Sequence, residues 1–310
     1  MRKVNRIICL VLALCLFAAM AMGSGSSDDV KDIVTKPAQD SGNDNTPDKT
    51  PEKETEKPNT NDEITVAEQI ILDRDGVKIT VKEYVEDFIW GEGIKVLVEN
   101  STEKNLTISC NALIVNNYMV SDMFVCSVAA GKKANETIYL LSSELEAAGI
   151  DMIGQIEIYF HVYDSDSYDT VFDSECITLQ TSVYDKMDVT PADTGIELYN
   201  NNGIRIVGKV VDENSFWGTA ILLYLENNSG QNITVSSDNM SINGFMVSPF
   251  FACTVYDGKM AITQITIFSS DLEDNDIDVI EDIELSFHIY NSDTYSTIVD
   301  TDPIAFSVNN

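Results

Sequence analysis

The residue types that could do chemistry are few here, and they recur at one spacing. The only histidines are His161 and His288, and the only tryptophans are Trp90 and Trp217; each pair is separated by 127 residues. A histidine can ligate a metal or sense pH, but a metal site needs three or four converging ligands. Glu157 precedes His161 by two strand alternations, too far for both to reach one ion, so both histidines read as framework residues. Trp90 and Trp217 each precede a glycine and a strand. There they could stack on a sugar ring or anchor a protein partner, or pin the core between two sheets, the reading favoured for sandwiches of this size.

The loop Asp164-Ser165-Asp166-Ser167-Tyr168-Asp169 places the carboxylates of Asp164, Asp166 and Asp169 within six residues, oxygen ligands of the kind Ca²⁺ takes. Its counterpart Asn291-Ser292-Asp293-Thr294-Tyr295-Ser296 keeps only one of them, and neither has the glycine of an EF-hand loop. A solvated hairpin turn is therefore expected, with no metal and no cofactor. Tyr168 and Tyr295 in these loops join the tryptophans as binding candidates. Cys110 and Cys176 are replaced together in the second copy by Ser237 and Pro303. That pattern suits a disulfide private to the first domain, worth about 4 kcal/mol in the chain-entropy picture, or two free thiols. Cys126 and Cys253 are equivalent positions inside apolar strand patterns and read as buried free thiols.

No P-loop, dinucleotide-binding glycine pattern, zinc-ligand cluster or nucleophile elbow occurs. Against 51 Asp and Glu the chain has 19 Lys and Arg, a formal net charge of -32. Such a surface repels phosphate backbones and anionic lipid, which excludes nucleic acid as a partner.

These residues sit in an internal repeat. Gly76 aligns with Gly203, and the same offset holds without a gap from there through Leu179 on Phe306. Trp90-Gly91 matches Trp217-Gly218, Gly131-Lys132 matches Gly258-Lys259, and Phe160-His161 matches Phe287-His288. Within each copy the apolar period is two, as in Ile156, Ile158, Phe160 and Val162, which marks half-buried strands. Asp75-Gly76 and Asn202-Gly203 lie between apolar runs and predict tight hairpins. Further strands are expected near 93–99, 105–115, 118–128, 135–142 and 171–179, with partners 127 residues later. Ser143 with Glu146 and Ser270 with Glu273 have capping-box spacing and predict one helical turn per copy. Many short strands with frequent turns predict an all-β fold of two tandem immunoglobulin-like antiparallel β-sandwich domains.

Asn116-Asn117-Tyr118-Met119-Val120 with Asn243-Gly244-Phe245-Met246-Val247, the Gly-Lys pairs, the Ser-Ser-Asp/Glu-Leu segments and the Phe-His-Val/Ile-Tyr strands carry a resemblance. Both copies resemble tandem immunoglobulin-like domains of unknown function in secreted or membrane-tethered proteins of Gram-positive bacteria. The resemblance implies accessory binding or spacer modules and assigns no catalytic residues.

Arg2, Lys3 and Arg6 ahead of the apolar run Ile7–Met22 predict a signal peptide over residues 1–23, cleaved after Ala21 or Gly23, or retained as a membrane anchor. Residues 24–62, rich in Ser, Asp, Thr, Pro and Lys, predict a disordered linker. Repeat 1 then spans 63–182 and repeat 2 spans 183–310. This organisation predicts a non-enzymatic, extracytoplasmic protein, secreted or tethered to the cell surface, that binds a protein or glycan at the bacterial envelope and touches membrane only through an uncleaved N-terminus. The alternatives are a structural spacer without a dedicated ligand and, weakest, a glycan-active enzyme.

Overall fold

The computed structural model describes residues 30–35, 63–87, 91–215 and 218–308. The signal-peptide segment lies outside them, as do Trp90 and Trp217. A single strand, β1 (Val30–Thr35), precedes repeat 1. Repeat 1 runs β2 (Gln69–Arg74), β3 (Val77–Asp87), β4 (Gly91–Asn100), β5 (Leu106–Val115), β6 (Tyr118–Val120), β7 (Val125–Val128), β8 (Lys133–Leu140), β9 (Gln155–Asp164), β10 (Thr170–Asp173) and β11 (Ile177–Gln180). Repeat 2 follows the same order: β12 (Ile196–Asn201), β13 (Ile204–Ser215), β14 (Gly218–Asn227), β15 (Ile233–Ile242), β16 (Phe245–Met246), β17 (Ala252–Val255), β18 (Lys259–Phe268), β19 (Asp282–Asn291), β20 (Thr297–Asp300) and β21 (Ile304–Val308).

In repeat 1, β2-β3-β4-β8 form one antiparallel sheet, and β5 pairs with β6, β7 and β9 in the other, β9 continuing to β10 and β11. Sequence neighbours β4 and β5 lie in different sheets while β4 pairs with β8 and β5 with β9. This is the Greek-key connection of an immunoglobulin-like sandwich. The inward alternation closes a core of Val77, Ile79, Ile94, Val96, Ile108, Ile156, Ile158 and Phe160, all buried. Repeat 2 builds its own core from Ile206, Ile221, Leu223, Val235, Ile265 and Phe287. The hairpins form where expected. Asp75 and Gly76 take φ of 50° and 83°, Asn202 and Gly203 53° and 75°, the left-handed pair that a two-residue turn between twisted strands requires.

Four expectations are corrected. The strand expected over 118–128 breaks between β6 and β7, where Asp122 Oδ1 accepts the Phe124 amide, and the one expected over 171–179 breaks between β10 and β11, where Ser174 Oγ accepts the Phe160 amide. The capping boxes do not form. The one-turn helices Ser142–Ala147 and Ser269–Glu273 begin after Leu141 and Phe268 without a side-chain cap. Instead Glu144 and its equivalent Asp271 accept the amides of Ser121 and Ser248, pinning the β6 and β16 loops to the helix.

Of the linker expected over 24–62 only residues 30–35 are described, and they form a strand instead. β1 pairs antiparallel with β13 (Val30 with Asp212) and with β21 (Ile33 with Val308), joining the two sheets of repeat 2. In repeat 1 the equivalent seat, against Thr181, is taken by Val66 from the adjoining chain. The residues of repeat 2 that correspond to Ile64 and Val66 are Pro191 and Asp193. Proline lacks the donor a ladder needs, and Asp193 is drawn to Arg205 at 2.6 Å. A distant segment with an apolar residue in register therefore fills the seat, and Ile33 is left only 5% exposed.

The repeats also share backbone. β6 pairs in parallel with β18, Tyr118 opposite Met260 and Met119 opposite Ala261. Behind this seam Tyr118, Ala148, Val207 and Tyr224 form a small core of their own.

Candidate functional site

The inward-pointing apolar residues of β9 force Glu157, Tyr159, His161 and Tyr163 onto its outer face. His161 Nδ1 lies 2.6 Å from Asp173 Oδ1 on β10, and Asn111 Nδ2 donates to the same oxygen. The hydrogen bond from His161 holds the Asp173 carboxyl below the usual carboxylate range. With the imidazole fixed, the Tyr163 ring sits 5.4 Å from it, and Tyr168 continues the row, stacked at 6.3 Å from Tyr163. Repeat 2 reproduces this row as His288, Tyr290 and Tyr295, at 5.2 and 6.3 Å, with His288 bonded to Asp300 at 2.5 Å.

The turn that carries each terminal tyrosine is held by a side-chain acceptor at its first residue. Asp164 Oδ1 accepts the amides of Asp166 and Ser167, and its other oxygen meets Lys104 at 3.1 Å. Those amides hold Asp164 ionised, its pKa lowered first by the Asp166 amide and then by Lys104. Asn291 does the same work in repeat 2, accepting the amides of Asp293 and Thr294. This explains why the carboxylate can be exchanged for an amide: the position needs an acceptor oxygen, not a charge. Tyr168 and Tyr295 adopt φ of 63° and 59°, the left-handed region that costs a side chain roughly 1–2 kcal/mol. The two residues remain 77% and 78% exposed. Strained backbone, an exposed ring and recurrence in both repeats coincide at these two residues.

A shallow depression of about 330 Å³ beside the first turn is lined by Asn105, Ser127, Val128, Ser165 and Asp166. The arrangement offers flat aromatic faces rimmed by carboxylates, suited to stacking on a sugar ring, an aromatic group or a cation.

The calcium candidates do not converge: the Asp164 carboxylate is engaged as described, and among the described residues no three His, Cys, Asp or Glu side chains are placed to hold an ion. The disulfide between Cys110 and Cys176 is not formed. The Cys110 thiol bonds to Asp122, while the Cys176 thiol faces Glu157 at 3.6 Å, and both are free. Cys126 is a buried free thiol, whereas Cys253 is half-buried. Burial raises the carboxyls of Asp122, to about 6, and Glu144. Glu144 holds a loop amide and repeat 2 has Pro249 in place of Asp122, so this pair is part of the scaffold of repeat 1.

Sequence reasoning missed Asp173, Asp300, Tyr163 and Tyr290. All four recur at the 127-residue offset, which was the available signal.

No family model and no curated protein matches this chain. Among solved structures it is similar to the Salmonella enterica SafA pilin in complex with the SafB chaperone, at 9% identity, 69% of this chain, 88% of that chain and a TM-score of 0.21. It is also similar to the YadV chaperone, at 11% identity, 67% of this chain, 90% of that chain and a TM-score of 0.22. No helix among the described residues is long and apolar enough to cross a membrane.

Proposed function

We propose that this protein is a non-enzymatic binding or adhesion module that works outside the bacterial cell, secreted or surface-tethered, and engages a glycan or protein of the envelope through its two tyrosine turns. The observation that carries this reading is the pair Tyr168 and Tyr295, each exposed, each in left-handed backbone, each backed by a stacked tyrosine and a hydrogen-bonded histidine. An exposed aromatic held at a backbone cost in both copies is better explained by a ligand than by folding. The resemblance to domains of Gram-positive exported proteins supports the same setting.

A structural spacer is the second reading, favoured by the seam between β6 and β18, which keeps the two repeats in one orientation. A glycan array and a panel of basic peptides probed with the chain from residue 24 onward separate the two. The binding reading expects saturable capture that the Tyr168→Ala/Tyr295→Ala double variant weakens at least about tenfold, or about 1.4 kcal/mol. Capture that is absent, or unchanged in the double variant, overturns it.

A further inference from the structure

The seam inside the molecule supplies a template for contact between molecules. Repeat 1 contributes an acceptor face: Tyr118 and Met119 of β6 pair with β18, Asn117 O accepts the Met260 amide, and Glu157 accepts Lys259. Repeat 2 contributes the start of β18, on the side away from β14, where Phe250 bridges only the distant Thr266.

Each repeat owns both halves of this device, and only one half of each is used. The acceptor face of repeat 2 is β16, where Phe245 and Met246 replace Tyr118 and Met119. Tyr118 is buried by the seam, whereas Phe245 and Met246 are 48% and 64% exposed. Glu284, the equivalent of Glu157, is exposed beside them. The edge of repeat 1 is β8, which ends its sheet and pairs only with β4. Lys132, the equivalent of Lys259, is exposed next to it, and half-buried Leu97 stands where Tyr224 receives the Tyr118 ring.

We propose that copies of this protein associate head to tail, β16 of one copy docking on the β8 edge of the next, with Phe245 over Leu97 and Glu284 paired to Lys132. The contact repeats the internal seam. It joins different surfaces, so it propagates into chains or closes into rings rather than stopping at a symmetric pair. These internal contacts have no counterpart: the Tyr118 hydroxyl that accepts the Ala192 amide becomes Phe245, the Asn117 side chain that accepts Lys259 becomes Gly244, and the Tyr159–Tyr256 ring pair becomes Ser286 and Ala129. The association is accordingly weaker than the seam and depends on concentration. It uses none of the tyrosine-turn residues, so its failure leaves the binding reading intact, and the reverse.

The test is sedimentation velocity of the chain from residue 24 onward, up to millimolar concentration. Wild type should gain mass with concentration. Glu284→Lys and Lys132→Glu, both on the surface, should each remain monomeric alone, and an equimolar mixture of the two should recover a dimer. In parallel, a Phe245→Cys chain mixed under mild oxidation with a Lys133→Cys chain should give a covalent heterodimer, because these positions correspond to the paired Tyr118 and Met260. A wild type that stays monomeric with no heterodimer in the mixture overturns the proposal, as does association that both charge variants leave unchanged.

Discussion

Lys259 Nζ of repeat 2 lies 2.7 Å from Glu157 Oε1 of repeat 1, and their side chains are only 16% and 8% exposed. Gln155 donates to the same carboxylate oxygen. Removing one partner of a buried pair strands the other, at a cost of roughly 3–5 kcal/mol before any relief from neighbours. Lys259→Ala should therefore destabilise the protein by about 2–4 kcal/mol in urea denaturation, with Gln155 offsetting part of the loss. Lys259→Ala/Glu157→Gln should recover most of that stability. A single variant within about 0.5 kcal/mol of wild type, the range of ordinary surface changes, would contradict the seam.

Ile33 plugs repeat 2 from a segment far away in sequence. Placing a carboxylate there buries an unpaired charge, so Ile33→Asp should cost roughly 3 kcal/mol or more if the strand stays docked, and otherwise should release β1. Hydrogen exchange distinguishes which repeat suffers. Amides of β21 and of the Val210–Asp212 stretch should lose protection while those of β4 and β8 keep theirs. Equal loss in both repeats would refute the assignment of β1 to repeat 2.

The Asp122 carboxyl is raised by burial to about 6, with Glu144 repelling it and the Cys110 thiol and Phe124 amide bonding to it. A carboxyl whose folded value lies above its unfolded value adds stability that is fully present below the unfolded value, near 4, and is lost as pH rises through about 6. Between those limits this group alone should lower stability by roughly 1–3 kcal/mol. Asp122→Asn should flatten that slope in melts taken between pH 4 and 7. An unchanged slope would show that Asp122 is not the group responsible.

Tyr168 separates stability from binding. In left-handed backbone a glycine has no Cβ to strain, so Tyr168→Gly should keep or raise stability, by up to about 1 kcal/mol, while Tyr168→Ala should not. Both variants should weaken any ligand of the first turn. Thermal melts beside the array binding read the two effects independently.

The features of this chain were unequally legible in its sequence. Alternation along β9 and the Asp-Gly and Asn-Gly hairpins follow from period and turn type, which act within a few residues, so strands and turns could be read directly. The exposure of Tyr168 and Tyr295 could be suspected, because polar turns leave side chains in water. Their stacking on Tyr163 and Tyr290, and the grip of Asp173 and Asp300 on the histidines, required knowing that β10 lies beside β9. The 127-residue repeat determined that two sandwiches of one kind would form, since identical patterns bury identical faces. Only the tertiary structure decided that Val30–Thr35 completes the second and that β6 meets β18. Both depend on which strand edges stay open after each sandwich has closed, and an open edge is a property of the assembled sheet rather than of any local pattern.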